Sequence, residues 1–150
     1  MTIKIKPKSF LKSQTHTDNV TQNESAKEEK MIYNGVYLIE NSVTGRKYVG
    51  SSSNIDRRIK THKQHLEKGC HNNRKLQKDH DIHGIDSFNF IILEKDVAHD
   101  LLTAYEKYWM YKHNSIVRYV GYNEMFPTLN HDAFKYVYNL KEGKNVSGDK

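Results

Sequence analysis

One helix of the sequence carries a carboxylate on its apolar side. The spacing of apolar residues predicts a helix that begins near Asp100. At about 100° per residue, Glu106 shares its side of that helix with Leu102, Trp109, Met110 and His113. A buried carboxylate without a partner costs several kcal/mol, so it is normally paired with a cation or bound to a metal ion. Glu106 is therefore a candidate ligand, and a tolerated position at the edge of the core is the alternative.

Positive charge is concentrated in residues 46–78. This segment holds ten Lys and Arg residues against two acidic ones, a net charge of +8, whereas the whole 150-residue chain has a net charge of +6. Such a basic stripe is typical of proteins that contact phosphate backbones, and a solvated helix surface is the alternative. The candidate backbone contacts are Arg57, Lys60, Lys63, His71, Arg74 and Lys75.

The elements that position these residues follow from changes in hydrophobic period. Residues 35–40 and 46–50 are β-rich runs separated by a short loop, which predicts a hairpin. Apolar residues then recur at helical spacing over residues 54–68, and a second short helix fits residues 72–83. The run 88–94 is rich in β-branched and aromatic residues, which predicts a buried strand.

A third helix follows, with Asp100 as its expected N-cap. The order β-β-α-α-β-α predicts an α+β fold in which helices flank a small three-stranded sheet, antiparallel or mixed. We expect a disordered polar and basic N-terminal arm at residues 1–31, a folded domain at residues 32–125 and a partly disordered C-terminal extension at residues 126–150. Residues 131–140 of that extension have the spacing of one additional helix.

Composition excludes several classes of protein. The single cysteine, Cys70, excludes an internal disulfide framework. The sequence contains no secretory signal and no apolar stretch of membrane-spanning length, which predicts a soluble, cytoplasmic protein without a membrane partner. The nine histidines suggest a zinc site as an alternative, with ligands among His62, His65, Cys70, His71, His80 and His83. Their spacing matches no recognised zinc motif.

Five short elements, taken in order, closely resemble the GIY-YIG nuclease domain. They are Gly35-Val36-Tyr37, Tyr48-Val49-Gly50, Arg58, Glu106 and Gly121-Tyr122-Asn123, and together they span about residues 33–125. The stretch from Leu66 to His71 is similar to one found in phage-type homing endonucleases of this family.

The resemblance implies a catalytic set of Tyr37, Tyr48, Arg58, His62, Glu106 and Asn123. In the family, the glutamate that matches Glu106 holds one divalent ion, Mg²⁺ or Mn²⁺, and the arginine that matches Arg58 contacts the scissile phosphate. The tyrosine that matches Tyr37 takes a proton from water, which requires a pKa well below about 10, and Arg58 and the metal ion would lower that pKa.

The remaining motif residues have supporting roles by the same resemblance. Tyr48 is placed to hydrogen-bond water or phosphate, and His62 could relay protons or bind phosphate, with His71 a weaker candidate for the same work. Asn123 is expected to orient Glu106 or the loop around it. Gly35 and Gly50 are backbone positions of the motif, and Gly50 is expected where the chain turns from strand to helix.

The implied function is metal-dependent hydrolysis of phosphodiester bonds in double-stranded DNA by a monomer that nicks one strand at a time. We expect the protein to be a homing endonuclease of a phage or mobile element, located in the host cytoplasm. Residues 124–150 are too few for a separate recognition domain, so sequence specificity would be low, or would come from a protein partner or the N-terminal arm. The alternatives are a catalytically inactive nucleic-acid-binding module and a nuclease that acts on RNA or branched DNA.

Overall fold

The chain forms a three-stranded sheet with helices on both faces. A computed structural model describes residues 31–145, so the predicted N-terminal arm lies outside the described residues except for Met31. The elements within them are β1 (Gly35–Asn41), β2 (Lys47–Ser52), α1 (Ile55–Glu67), α2 (Arg74–His83), β3 (Phe88–Lys95), α3 (Leu102–Lys112) and α4 (His131–Lys141). The predicted α+β order is confirmed, and α4 is the additional helix expected within residues 131–140.

The sheet has the order β2-β1-β3, and both strand pairs are antiparallel. In the β1–β2 pair, Tyr37 lies opposite Gly50 and Leu38 lies opposite Val49. One parallel bridge, between Lys47 and Gly121, attaches a later segment of the chain to the start of β2. The central strand β1 is therefore buried on both faces, as its nearly continuous apolar sequence predicts.

Alternate residues of β1 face two different helix layers, since the side-chain period of a strand is two. Tyr37 and Ile39 pack against apolar residues of α1 and α2. Val36 and Leu38 pack against α3 on the opposite face. On the outer side of α3, the fully buried Val137 of α4 completes a further apolar cluster. The sheet thus separates α1 and α2 from α3 and α4.

The capping residues agree with the sequence for two helices and disagree for the third. The side chain of Asn54 accepts the Arg57 N–H at 3.0 Å at the start of α1, and Asn73 caps α2 in the same way. The prediction that Asp100 caps α3 is wrong. Asp100 lies inside a short 3₁₀ turn, His99–Leu101, that leads directly into α3, so no non-helical residue is present to cap it.

The prediction that residues 88–94 form a buried strand is also wrong. The strand forms, but within β3 only Phe88 is buried; the other residues are half-buried or exposed, and Ile91 is 40% exposed. The reason is that β3 lies at the edge of the sheet and pairs only with β1. Residues 31–145 include no helix that is both long enough and apolar enough to cross a membrane.

Candidate active site

A cavity of about 450 Å³ gathers most of the predicted site residues at the β2 side of the sheet. Its lining includes Tyr48 of β2, Arg58, His62 and His71 from α1 and the following loop, Glu106 of α3, and Asn123. Tyr37 lies directly behind the cavity, since its hydroxyl contacts both His62 and Arg58. The edge position of β2 explains this arrangement, because side chains from both faces of a sheet can meet only around an edge.

Tyr37 occupies the space that Gly50 leaves free on the neighbouring strand. A Cβ atom at Gly50 would lie 2.5 Å from the Tyr37 hydroxyl oxygen and 3.0 Å from a ring carbon of Tyr48. Gly50 lies within β2 and not at a strand-to-helix turn, so the predicted reason for this glycine is wrong. Its function is to admit the Tyr37 ring. Gly35 is required differently, because its φ is +152° and a Cβ would lie 2.0 Å from the Glu94 carbonyl oxygen.

Burial dominates the electrostatics of the two tyrosines. It raises the pKa of Tyr37 well above the ordinary value, with a further contribution from Tyr48, while the hydrogen bond and charge of Arg58 lower it. The pKa of Tyr48 is raised by burial as well. Arg58 therefore lowers the pKa of Tyr37, as predicted, but desolvation outweighs its effect and the net shift from the protein groups is upward. The predicted lowering by a metal ion stays a prediction.

Glu106 points from α3 toward β2, as its position on the apolar side of the helix predicts. The hydroxyl of Ser51 donates a hydrogen bond to Glu106 Oε2. Burial raises the pKa of Glu106, whereas Ser51 and the charge of Arg58 lower it. A half-buried carboxylate in a polar cavity fits a divalent ion, because Mg²⁺ binds through one or two carboxylates and completes its shell with water and phosphate oxygens. Glu106 is the residue that could hold such an ion.

Ser51 was not among the predicted site residues. Ser51 follows Gly50 in β2, so the strand period places it on the opposite face from Tyr48 and Gly50, toward α3. That alternation is the signal that would have paired Ser51 with Glu106.

Asn123 binds the backbone of β2 and not Glu106. Its Oδ1 accepts the Val49 N–H at 2.8 Å, and its Nδ2 donates to the Val49 carbonyl at 2.9 Å. A neighbouring strand would form the same two hydrogen bonds with the backbone of Val49. The Asn123 side chain thereby continues the strand-like pairing that begins at the bridge between Lys47 and Gly121. Asn123 makes no direct hydrogen bond to Glu106, and its predicted role in orienting the loop around the glutamate stays a prediction.

Two histidines form a stacked pair beside Tyr37. His62 Nε2 lies 2.7 Å from the Tyr37 hydroxyl, and His62 Nδ1 lies 2.7 Å from His71 Nε2. The backbone N–H of Asn73 donates to His71 Nδ1 at 3.0 Å. Burial, with a smaller contribution from the charge of Arg58, lowers the pKa of His62 to about 3. His62 is therefore neutral at physiological pH.

The predicted backbone contacts are distributed around α1 and α2, and of these only His71 is among the residues that line the cavity. At about 100° per residue, Lys60 and Lys63 lie at about 160° and 140° from Arg58 around α1. The Lys63 ammonium lies 4.6 Å from the centre of the Phe90 ring. The roles of Arg57, Lys60, Lys63, Arg74 and Lys75 in binding DNA stay predictions.

The cavity also has an apolar part that was not predicted from the sequence. Met125, Phe126 and Pro127 are among its lining residues, and Met125 is 75% exposed. They follow the Gly121-Tyr122-Asn123 motif immediately, which was the available signal. Within residues 31–145, no three His, Cys, Asp or Glu side chains come together as a metal-binding group, so the alternative of a zinc site finds no support there.

Comparison with known proteins gives consistent matches to one family. A family model of the GIY-YIG catalytic domain matches residues 33–123. The intron-associated endonuclease 1 of Enterobacteria phage T4 is 39% identical over 90 residues, which are 59% of this chain and 36% of that protein. The chain therefore spans about a third of the length of this curated relative.

Two solved structures of the catalytic domain of the intron endonuclease I-TevI have the same fold. A mutant form matches with a TM-score of 0.59 and 35% identity, covering 66% of this chain and all of that one. The other matches with a TM-score of 0.55 and 36% identity, covering 61% of this chain and 98% of that one. Since the family model covers more than half of the sequence and the five motif elements fall around one cavity, the chain belongs to the GIY-YIG catalytic domain family.

Proposed function

We propose that this chain is a divalent-metal-dependent endonuclease that hydrolyses phosphodiester bonds in double-stranded DNA. The observation that carries the proposal is the convergence of an exposed arginine, Arg58, and a half-buried carboxylate, Glu106, on a single cavity. A module that only binds nucleic acid needs positive charge but no carboxylate in its binding cavity, since that carboxylate repels phosphate.

Arg58 is the residue that stabilises charge on the phosphoryl oxygens. Its guanidinium is planar and permanently charged, and the hydrogen bond to Tyr37 raises its pKa further. That same bond, at 3.4 Å from Arg58 Nε to the Tyr37 hydroxyl, fixes the side chain at the cavity. A preorganised donor of this kind contributes most in the transition state, where the phosphoryl oxygens carry the most charge.

Glu106 would hold the metal ion, and Ser51 would fix the orientation of the carboxylate. A bound divalent ion supplies Lewis-acid stabilisation of a phosphoryl or leaving oxygen. Burial disfavours the ionised form of Glu106 in the metal-free protein, so the carboxylate gains a strongly favourable partner when a cation enters.

Tyr48 lines the cavity as a neutral phenol, because burial raises its pKa. We assign it to hydrogen-bond the attacking water or a phosphate oxygen. Tyr37 is assigned to accept the proton of that water, a role that requires its own proton to leave first.

The biological role that we propose is that of a homing-type endonuclease of a phage or mobile element, acting as a monomer in the host cytoplasm. The support is the similarity to a phage T4 protein named as an intron-associated endonuclease. The basic segment 46–78 supplies the positive charge for DNA, and the N-terminal arm or a protein partner is proposed to supply sequence specificity.

The experiment that tests this proposal is incubation of the chain with supercoiled plasmid, with Mg²⁺ and with excess EDTA. We expect cleavage by the wild type in Mg²⁺ only, and none by Glu106→Gln, which keeps the shape of the side chain without its charge. Binding measured by gel shift should persist in Glu106→Gln. Binding without cleavage by the wild type would identify an inactive module, and faster cutting of RNA or a four-way junction would identify a different substrate.

A further inference from the structure

Four groups form a continuous hydrogen-bonded chain from the start of α2 to the buried hydroxyl on β1. The backbone N–H of Asn73 lies 3.0 Å from His71 Nδ1, and His71 Nε2 lies 2.7 Å from His62 Nδ1. His62 Nε2 in turn lies 2.7 Å from the Tyr37 hydroxyl oxygen. Each imidazole thus uses both ring nitrogens, so the direction of one bond determines the direction of the next.

The first bond in the chain has only one possible direction. A backbone N–H is always a donor, so His71 Nδ1 must accept and carries no proton. A neutral or charged imidazole keeps at least one N–H, and in His71 that proton is therefore on Nε2, facing His62 Nδ1. His62 Nδ1 must then accept as well, which leaves the His62 proton on Nε2, facing Tyr37.

We propose that the backbone amide of Asn73 sets this direction, so that the Tyr37 oxygen accepts hydrogen bonds from both His62 and Arg58 and its own proton points into the cavity. Arg58 Nε–H can only donate, and it reaches the same oxygen at 3.4 Å. A phenolic oxygen has two lone pairs, so when both accept hydrogen bonds its own O–H bond must point in the remaining direction. His62 is thereby a positioning residue that acts through Tyr37.

This inference rests on the proposed function and changes one step of it. By the family resemblance, His62 could relay protons. In the directed chain, His62 has no lone pair available to take the Tyr37 proton, because its only unprotonated nitrogen accepts from His71. The Tyr37 proton must therefore pass to solvent water through the cavity, and the phenolate that remains is stabilised by two N–H donors, from His62 and Arg58.

Asn73 is itself held in place from both sides. Its Oδ1 accepts the Leu76 N–H at 3.0 Å as the cap of α2, and its Nδ2 donates to the Tyr122 carbonyl at 2.6 Å. The neighbouring Gln77 accepts the His71 backbone N–H at 2.9 Å through Oε1. The loop between α1 and α2 is thus fixed to α2 and to the motif segment, which keeps the amide aimed at the imidazole.

The test reads the tautomers directly by imidazole ¹⁵N NMR of the histidine-labelled full chain, without DNA or metal. His62 and His71 are assigned by comparison with His62→Gln and His71→Gln. We expect both residues in wild type to show an unprotonated Nδ1 and a protonated Nε2. A protonated Nδ1 in either residue would overturn the proposal, and no activity measurement is needed to decide it.

A matched pair of variants isolates the amide. Asn73→Ala removes the side-chain bonds and keeps the N–H, whereas Asn73→Pro removes both, and the φ of −80° at this position suits proline. We expect the wild-type tautomers in Asn73→Ala and a mixture of tautomers at both histidines in Asn73→Pro. Unchanged tautomers in a folded Asn73→Pro would show that the amide does not set the direction.

The measurement on wild type decides the proposal even if Asn73→Pro fails to fold. Absence of plasmid cleavage together with the expected tautomers would reject the proposed function and leave the directed chain intact.

Discussion

Arg58 differs from the other basic residues of α1 in what its side chain contacts. Its guanidinium bonds to Tyr37 at the cavity, whereas the ammonium of Lys63 covers the Phe90 ring on another side of the helix. Charge counting cannot separate these two residues, because both contribute equally to the basic segment. The proposed function assigns Arg58 to the reacting phosphate and Lys63 to general attraction to DNA, and their different contacts are the structural basis for that distinction.

We therefore predict that Arg58→Ala reduces the rate of plasmid cleavage by about 10²–10³, the usual cost of removing one preorganised donor. Lys63→Ala should leave kcat nearly unchanged, weaken binding modestly and reduce the salt dependence of binding by roughly one phosphate contact. Single-turnover cleavage and gel shifts at several salt concentrations measure both. Equal losses of rate in the two variants would show that Arg58 is only part of the basic surface.

His62 makes the stability of the protein depend on pH. Its pKa is about 3 in the folded chain, against about 6.5 in an unfolded one, so the unfolded state binds the extra proton first as pH falls. The contribution of neutral His62 is fully present above about pH 6.5 and is lost progressively from there toward pH 3. The charged and titratable groups around the ring are Arg58, His65, His71, Tyr37 and Tyr48.

The corresponding prediction is a fall of several kcal/mol in the free energy of unfolding between about pH 6.5 and pH 3, with a clearly smaller fall in His62→Gln. Urea unfolding across that range provides the measurement. His131→Gln is the matched control, because His131 is exposed at the start of α4 and does not line the cavity. Parallel curves for wild type and His62→Gln would contradict the assignment.

The residue types of the site were predictable, and their partners were not. Tyr37, Tyr48, Arg58, His62 and Glu106 stand out in the sequence by motif and by helical position. The groups that hold them, such as Ser51 and Asn73, are common polar residues without a distinctive pattern. The net shift of the Tyr37 pKa could not be predicted from the sequence either, because the burial of its hydroxyl depends on how tightly the helices cover the sheet.

At the scale of elements, β2 determines how close the two tyrosines can come to the cavity. Gly50 faces Tyr37 across the strand pair and leaves no side chain between them. Any Cβ at this position must displace the Tyr37 hydroxyl, and with it the contacts to His62 and Arg58. Glycine is therefore required at position 50 because no side chain fits between β2 and Tyr37.

We predict that Gly50→Ala loses at least tenfold in cleavage rate while remaining folded, since the displaced hydroxyl is not bonded to its partners. Gly45→Ala is the control: a Cβ there meets nothing within 4 Å, but φ is +71°, so this variant should lose about 1 kcal/mol of stability and keep its activity. Thermal unfolding and plasmid cleavage of both variants give the comparison. Wild-type activity in Gly50→Ala would show that the site tolerates the displacement.

Most elements were predictable because their periodicity is strong. The hairpin and the first two helices are found within one or two residues of the predicted positions, and the final helix is present. The errors lie where tertiary position decides the outcome. The apolar run of β3 is compatible with a central or an edge strand, and the chain before α3 continues as a 3₁₀ turn that makes a cap at Asp100 unnecessary.

For the molecule as a whole, the site is assembled from both layers of the fold. Arg58 and His62 belong to the layer of α1 and α2, whereas Glu106 belongs to α3 on the other face of the sheet. Local sequence patterns predict each layer but not the edge around which they meet. The order of the three strands, with β2 at one edge, is what brings the Glu106 carboxylate and the Arg58 guanidinium to the same cavity.

The cavity lined by Arg58 and Glu106 determines how the two strands of DNA would be cut. The chain carries one Arg58 and one Glu106 at the cavity, so it can engage one scissile phosphate at a time. A monomer must then reorient, or a second copy must bind, before the opposite strand is reached. We expect each of these steps to be slower than chemistry on a phosphate that is already bound.

We therefore expect open-circular plasmid to accumulate before linear product at low enzyme concentration, and sedimentation to report a monomer. Raising the enzyme concentration should shorten the life of the nicked intermediate more than it speeds the first cut, since the second event depends on a new encounter. A time course with catalytic and excess enzyme distinguishes the two rates. Linear DNA that appears without a nicked intermediate, from a stable dimer in solution, would mean that two cavities act together and that neither the monomer nor the sequential cut is correct.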